Sequence, residues 1–222
     1  MNDLLSKLAE CVEFGKINLT SPYPPQMKGQ EGADEITRKA LEEGVAPQDI
    51  LTNGLMPGME KVGIKFRENK VFVPQVLMSA KAMGASMIQL KPFFTSGEIK
   101  TKGTFIIGTV KGDLHDIGKN LVAMMVEGAG WTVVDLGVDV SSSRYLEALS
   151  NNPGAVVALS ALLTTTMVNM EGIVADIRAQ VPGVKVFIGG APVNSNFCQK
   201  IGADFYAPDP QGVVEHLNKL AS

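Results

Sequence analysis

The chain has 222 residues, of which 45 % are hydrophobic, and a formal net charge of −3. This apolar content is typical of a globular protein, and the slightly acidic balance argues against a nucleic-acid or anionic-membrane surface. With two cysteines and two histidines, the chain can build neither a disulfide framework nor a metal site of several cysteines or histidines. The first ten residues lack the apolar core of a signal peptide, so we expect a cytoplasmic protein.

The first part of the sequence has the periodicity of amphipathic helices. Apolar spacing predicts helices around 4–12, 33–43, 48–53 and 56–66. A fifth helix is predicted to open at Pro74 and to close at Pro92. Its apolar residues recur at steps of four and three and therefore line one face: Val76, Ala80, Met83, Met87 and Leu90.

These patterns predict two domains joined by a linker. Residues 1–91 are expected to form a helical bundle whose methionines fill the core. Residues 92–102 contain Pro92, Ser96 and Gly97 and are expected to be the linker and a hinge. Residues 103–222 form the second predicted domain.

From residue 103 onward, short β-branched runs alternate with helical stretches. Strands are predicted at 104–110, 132–136, 155–159, 184–188 and 204–207, and helices at 117–128, 143–150, 167–180, 194–201 and 210–220. Five such βα units predict an α/β fold with a doubly wound, five-stranded parallel sheet, Rossmann-like or flavodoxin-like. Ligands of these sheets bind at the carboxyl ends of the strands.

Three loops at that edge carry polar residues or glycines. The loop at 111–120 contains Asp113, His115 and Gly118, and it has neither a dinucleotide fingerprint nor a Walker motif. A lone imidazole can supply one axial ligand to a metal that a macrocycle already holds. A carboxylate on the other ring nitrogen, such as that of Asp113, would fix the tautomer, and the Ser160 hydroxyl could extend this network.

Each of these residues also has a simpler interpretation. In that interpretation His115 is a loop or capping residue, and Asp113 and Asp116 only complement the dipole of the following helix. Ser160 then caps the backbone at a strand end, and the two glycines at 189–190 form a turn. His216 is expected to be a surface residue of the last helix.

The combined spacing resembles the signature of cobalamin-binding domains. Asp113-x-His115-x-x-Gly118 is followed after 41 residues by Ser160-x-Leu162, and after 26 more by Gly189-Gly190. The first half, around 55–59 and 71–76, resembles the helical cap of methyl-transferring corrinoid proteins. The chain as a whole is similar to a corrinoid protein of a methyltransferase system, related to the cobalamin module of methionine synthase.

This resemblance implies a cobalamin cofactor, as methylcobalamin or a related corrinoid, and roles for individual residues. His115 would be the lower axial ligand of cobalt, replacing dimethylbenzimidazole, and Asp113 and Ser160 would complete a ligand relay with it. The nucleotide tail would enter a slot beside the glycines. Phe72 matches an aromatic residue of the cap, although a bundle-core position is an alternative. The residues expected to bind the cofactor are Asp113, His115, Asp116, Gly118, Ser160, Leu162, Thr164, Gly189, Gly190 and Phe72.

The implied function is to carry a methyl group on cobalt from a substrate-specific methyltransferase to a second methyltransferase, which passes it to tetrahydrofolate or a thiol. A reductive activase is a further implied partner. The alternatives are a cobalamin-dependent sensor or storage protein, a mutase small subunit and a flavodoxin-like FMN protein. The acidic charge, the helical first half and the lack of a Ser/Thr-rich phosphate loop argue against these in turn.

Overall fold

The computed structural model describes residues 2–221, which form two compact units. One unit runs to Thr101 and includes Gly128–Gly130, and the other comprises Lys102–Glu127 and the chain from Trp131 onward. No helix within the described residues is long and apolar enough to cross a membrane.

The first unit is a bundle of helices, as predicted. Its elements are α1 (Asn2–Phe14), a 3-10 turn (Pro25–Met27), α2 (Ala33–Glu42), α3 (Pro47–Asp49) with a π-helical continuation (Ile50–Leu55), α4 (Met56–Arg67) and α5 (Val73–Ser96). The predicted apolar face of α5 supplies Val76, Met83 and Leu90 to the interior. The core around them is built from leucine, isoleucine and methionine side chains of all these helices.

Helix α5 passes through Pro92 and ends at Ser96, so the predicted helix end at Pro92 is wrong. Phe93 and Phe94 pack against the bundle core, and this packing holds the last turn although proline removes one backbone hydrogen bond. Gly97 then ends the helix with a left-handed φ of 82°. The Ile99 N–H donates to the Phe93 carbonyl over 3.1 Å.

The second unit is a parallel sheet of five strands in the order β2-β1-β3-β4-β5, which confirms the predicted doubly wound fold. The strands are β1 (Thr104–Thr109), β2 (Thr132–Asp135), β3 (Val156–Ser160), β4 (Val186–Gly189) and β5 (Phe205–Tyr206). The helices are α6 (Ile117–Gly128), α7 (Ser142–Asn151), α8 (Thr164–Met167), α9 (Asn169–Gln180), α10 (Ser195–Lys200) and α11 (Pro210–Leu220). The helix predicted at 167–180 is thus divided into α8 and α9.

The strand register aligns three residues at the carboxyl edge of the sheet. Thr109 pairs with Ser160, and Ser160 pairs with Gly189. These positions lie two residues beyond Ala158 and its partner Phe187, so they share a face with Phe187.

Helix α11 covers that face through His216, whose ring stacks on Phe205 with centroids 3.8 Å apart. The same ring meets the edge of Phe187 at 5.3 Å. The predicted surface histidine is therefore half-buried, because its ring extends an aromatic cluster. Burial in that cluster lowers the pKa of His216.

Candidate functional site

The loop after β1 is fastened to the segment that follows β2. Gly112 turns the chain with a φ of 83°, and its N–H donates to Asp139 Oδ1 over 2.7 Å. The Asp139 N–H in turn donates to the Asp113 carbonyl over 3.0 Å. These two bonds fix the backbone from which the Asp113 side chain projects.

The Asp113 carboxylate is fully buried and accepts five hydrogen bonds. Oδ1 accepts from the backbone N–H of His115 at 3.0 Å and from its Nδ1 at 2.7 Å. Oδ2 accepts from Thr166 Oγ1 at 2.6 Å and from the N–H groups of Leu162 and Leu163 at 2.8 and 3.3 Å. Burial alone raises a carboxyl pKa, but the bonds from Thr166, Leu162 and His115 outweigh it and hold the pKa of Asp113 well below its usual range.

The ionised carboxylate determines which nitrogen of His115 is free. Because Asp113 can only accept, Nδ1 of the imidazole carries a hydrogen, and Nε2 keeps its lone pair in the neutral ring. The His115 side chain is 51 % exposed, so a ligand can reach it. The Thr109 hydroxyl donates to the His115 carbonyl at 2.9 Å and so holds the backbone of His115 to the end of β1.

The relay hydroxyl belongs to Thr166 and not to Ser160, which corrects the prediction. Ser160 ends β3, and its carbonyl accepts from the Val110 N–H. Thr166 is the third residue of α8 and is buried with its hydroxyl on Asp113. The run of three threonines at 164–166 was the available signal, but choosing among them requires the phase of the short helix. A role for Ser160 beside a cofactor stays a prediction.

The predicted glycines lie around the same strand ends. Side chains added at Gly118, in the first turn of α6, or at Gly189, at the end of β4, would meet nothing within 4 Å. At Gly190 the φ is 123°, and a Cβ would stand 1.8 Å from the Ala161 carbonyl oxygen, so only glycine fits. The glycines therefore leave open space beside the sheet and let the ends of β3 and β4 approach each other.

Exposed apolar side chains flank the imidazole. Leu114 and Ile117 are 70 % and 69 % exposed, and Leu162, Leu163 and Val168 are exposed on the facing loop. Among residues 2–221, no group of three or more His, Cys, Asp or Glu is placed to hold a metal. A single open imidazole nitrogen within an apolar rim therefore suits a large, flat macrocycle that brings its own metal.

Three further predicted residues are exposed. Asp116 and Thr164 are exposed at the first turns of α6 and α8. Phe72 belongs to the helical unit, where it precedes α5 and is 61 % exposed, so the alternative of a bundle-core phenylalanine is wrong. Their contacts with a cofactor stay predictions.

The sequence analysis did not predict an ion pair between a buried lysine and an exposed aspartate. Lys119, in the first turn of α6, donates to Asp135 Oδ2 at 2.5 Å and to Asn120 Oδ1 at 2.6 Å. A cation at a helix N-terminus opposes the helix dipole, so the Asp135 carboxylate offsets this cost. The pair fixes the start of α6 against the end of β2.

Two family profiles match this chain, and both are described as B12 binding domains. One covers residues 103–214, which contain the whole Asp113 site. The other covers residues 29–91 of the helical unit.

Several curated relatives are corrinoid proteins. Trimethylamine corrinoid protein 1 of Methanosarcina acetivorans is 41 % identical over 86 % of this chain and 90 % of the relative. Monomethylamine corrinoid protein 2 of the same organism is 38 % identical over 78 % of this chain and 82 % of the relative. A corrinoid protein of Desulfitobacterium hafniense is 35 % identical over 84 % and 88 % of the two chains.

Solved structures of cobalamin-dependent proteins are also similar to this chain. A chain of the methanol:cobalamin methyltransferase complex from Methanosarcina barkeri matches with a TM-score of 0.83 and 27 % identity, over 99 % of this chain and 80 % of that chain. A cobalamin-binding protein from Desulfitobacterium hafniense matches with a TM-score of 0.73 and 28 % identity, over 97 % of both chains.

Replacing Thr166 with valine should raise the pKa of Asp113 by removing a donor to its carboxylate. We expect the unfolding free energy at pH 7 to fall by about 1.5–3 kcal/mol, the usual worth of a hydrogen bond to a charged group. Because the folded pKa of Asp113 is depressed, its stabilisation is complete above its unfolded pKa of about 3.9 and is lost as the pH falls further. The unfolded-state titration of Asp113 is the same in both proteins, so their difference should stay constant from pH 7 to about pH 4 and shrink only as the pH falls through the folded pKa of the variant.

Urea unfolding followed by circular dichroism measures this difference at each pH. Thr166→Ser keeps the hydroxyl and should stay near wild type, as should Thr165→Val at the exposed neighbouring position. No difference from wild type at pH 7, or an equal loss of stability in Thr166→Ser, would contradict the assignment.

Proposed function

Because the chain belongs to the corrinoid proteins with B12 binding domains, we propose that it carries a methyl group between two methyltransferases. Its cofactor is a corrinoid of the cobalamin type. The observation that carries the proposal is the His115 imidazole, which Asp113 holds by Nδ1 so that Nε2 is left for a metal. The names of the relatives, which refer to methylated amines, support the methyl-carrier role.

The chain's own residues would bind the metal, orient the corrinoid and balance charge. A bound corrinoid supplies the cobalt ion on which the methyl group travels. His115 Nε2 would be the lower axial ligand, and the hydrogen bond from Nδ1 to Asp113 raises its basicity. The Asp113 carboxylate would balance positive charge on the imidazole, whether that charge came from a metal or from a proton at Nε2. Thr166 keeps that carboxylate ionised.

The open space beside the glycines would receive the nucleotide tail of the corrinoid. Gly118 and Gly189 leave this space free, and Gly190 keeps a side chain out of the junction between strand ends. Ser160 and Leu162, at the end of β3, would border the tail. Asp116 and Thr164, at neighbouring helix starts, are proposed as outer contacts.

Both methyltransferases, and a reductive activase, are proposed partners. The names of the relatives favour a methylated amine as the methyl donor. Tetrahydrofolate or a thiol is proposed as the acceptor of the second enzyme. The chain of the methanol:cobalamin methyltransferase complex offers a precedent for docking with such an enzyme. We place this exchange in the cytoplasm, where the two free, buried cysteines, Cys11 and Cys198, stay reduced.

Label transfer tests the carrier role directly. Deuterated trimethylamine, a trimethylamine methyltransferase, a thiol-methylating enzyme and the corrinoid-loaded chain are mixed under reducing conditions. We expect labelled methyl thioether in the products, detected by mass spectrometry, only when all components are present. Label transfer that does not require the chain would contradict the proposal, as would no transfer from any methylated amine or from methanol with its own methyltransferase.

Phe72 is proposed as a cofactor-binding residue of the helical unit, which we regard as a cap. Within the predicted linker, 92–102, the residues up to Ser96 belong to α5, so the hinge is proposed at 97–102. Two observations support it: the residue is exposed although it is a large aromatic, and it lies within the second B12 binding domain match. A contact of this kind would exclude water and oxidants from the reduced metal.

Phe72→Ala should therefore leave corrinoid binding intact while speeding oxidation of the reduced, loaded chain in air several-fold. Oxidation is followed by the visible absorbance of the corrinoid. Ile88→Ala, which removes another exposed apolar side chain of the same unit, is the matched control and should oxidise at the wild-type rate. Equal rates for all three proteins would count against a role for Phe72.

A further inference from the structure

One buried polar side chain of the sheet unit lacks a partner. Gln211, the second residue of α11, is 4 % exposed, and no hydrogen bond to its amide is formed by any described residue. The eight other buried polar or charged residues are all hydrogen-bonded: Lys16, Thr37, Ser79, Ser86, Thr109, Asp113, Lys119 and Thr166. Buried polar groups without partners are rare and usually have a functional reason.

The Gln211 amide still reaches accessible space. Among the described side chains, only Trp131 Nε1 and Tyr145 Oη are sealed from solvent without a hydrogen bond. The unpaired amide of Gln211 therefore borders a space that a molecule can enter, although the residue as a whole is buried.

The packing of α11 places this amide along β1. His216 sets the helix on the Phe187 face of the sheet. Asn218, two helical turns from Gln211 and on the same side of the helix, accepts from Lys102 Nζ at 2.7 Å, just ahead of β1. Because α11 runs back along the strands, Gln211 lies about 10 Å nearer their carboxyl ends than Asn218.

The space beside Gln211 is the one assigned above to the nucleotide tail. Thr109, Ser160 and Gly189 end their strands on this same face. The side-chain directions at Gly189 and Gly118 are empty. Because β1 rises by about 3.3 Å per residue up to Thr109, Gln211 lies below these edge residues, at the depth that the far end of an entering tail would reach.

We propose that Gln211 selects the lower base of the corrinoid, an inference that rests on the proposed function. Its amide offers one acceptor and two donors to the base edge. A base with a hydroxyl or amino substituent satisfies it, as in 5-hydroxybenzimidazole or adenine. The two methyl groups of dimethylbenzimidazole cannot form a hydrogen bond and would leave the Gln211 amide desolvated and unpaired. A polar site discriminates strongly against a ligand that leaves its buried polar groups unpaired.

Binding of corrinoids that differ only in the lower base tests this selection. The full-length apoprotein is titrated with cobalamin, the adenine cobamide, the 5-hydroxybenzimidazole cobamide and cobinamide, which has no nucleotide tail. We expect at least one polar-edged cobamide to bind about tenfold more tightly than cobalamin. Gln211→Leu should abolish that preference and leave cobinamide affinity unchanged, whereas Gln199→Leu, at an exposed glutamine of α10, should behave as wild type.

Equal affinity of the wild type for all three tailed corrinoids would overturn the proposal. So would a loss of cobinamide affinity in Gln211→Leu that matches its loss for the tailed corrinoids, since the residue would then act only on the fold. Failure of the wild type to bind any of the four probes would refute the proposed function itself.

Discussion

The site depends on one buried charge, the carboxylate of Asp113. Among residues 2–221 no lysine or arginine pairs with it, and five hydrogen bonds stabilise it instead, from the loop after β1 and from the loop and short helix after β3. Those bonds join the loop after β1 to the loop after β3 and hence tie together the edge of the sheet. Removal of this carboxylate would leave the N–H groups of Leu162 and Leu163 without the acceptor that they have now.

This constraint explains how a domain with one usable histidine can serve a metal cofactor. The carboxylate fixes the ring and its tautomer, while the rigid sheet edge fixes the carboxylate. The glycines leave room beside the imidazole, and the exposed leucines and Ile117 supply an apolar border. Binding, orientation and a place for one proton come from the chain, and the methyl chemistry comes from the corrinoid.

Features that depend on neighbouring residues in the sequence could be predicted. Buried strands have continuous apolar runs, and α11 begins where Asp209 caps it and Pro210 opens it. Asp113 and His115 are two residues apart, so their pairing could be proposed from sequence. Contacts set by tertiary packing could not: Thr166 reaches Asp113 only because α8 folds back, and packing by Phe93 and Phe94 carries α5 past Pro92.

The most direct test of the central claim is the electron paramagnetic resonance spectrum of the cobalt(II) form of the loaded chain, with and without ¹⁵N-labelled histidine. The account predicts nitrogen splitting that changes with the label and is absent in His115→Ala. Splitting that is insensitive to the label and persists in His115→Ala would show that the corrinoid keeps its own base, and would contradict the assignment of His115 as the axial ligand.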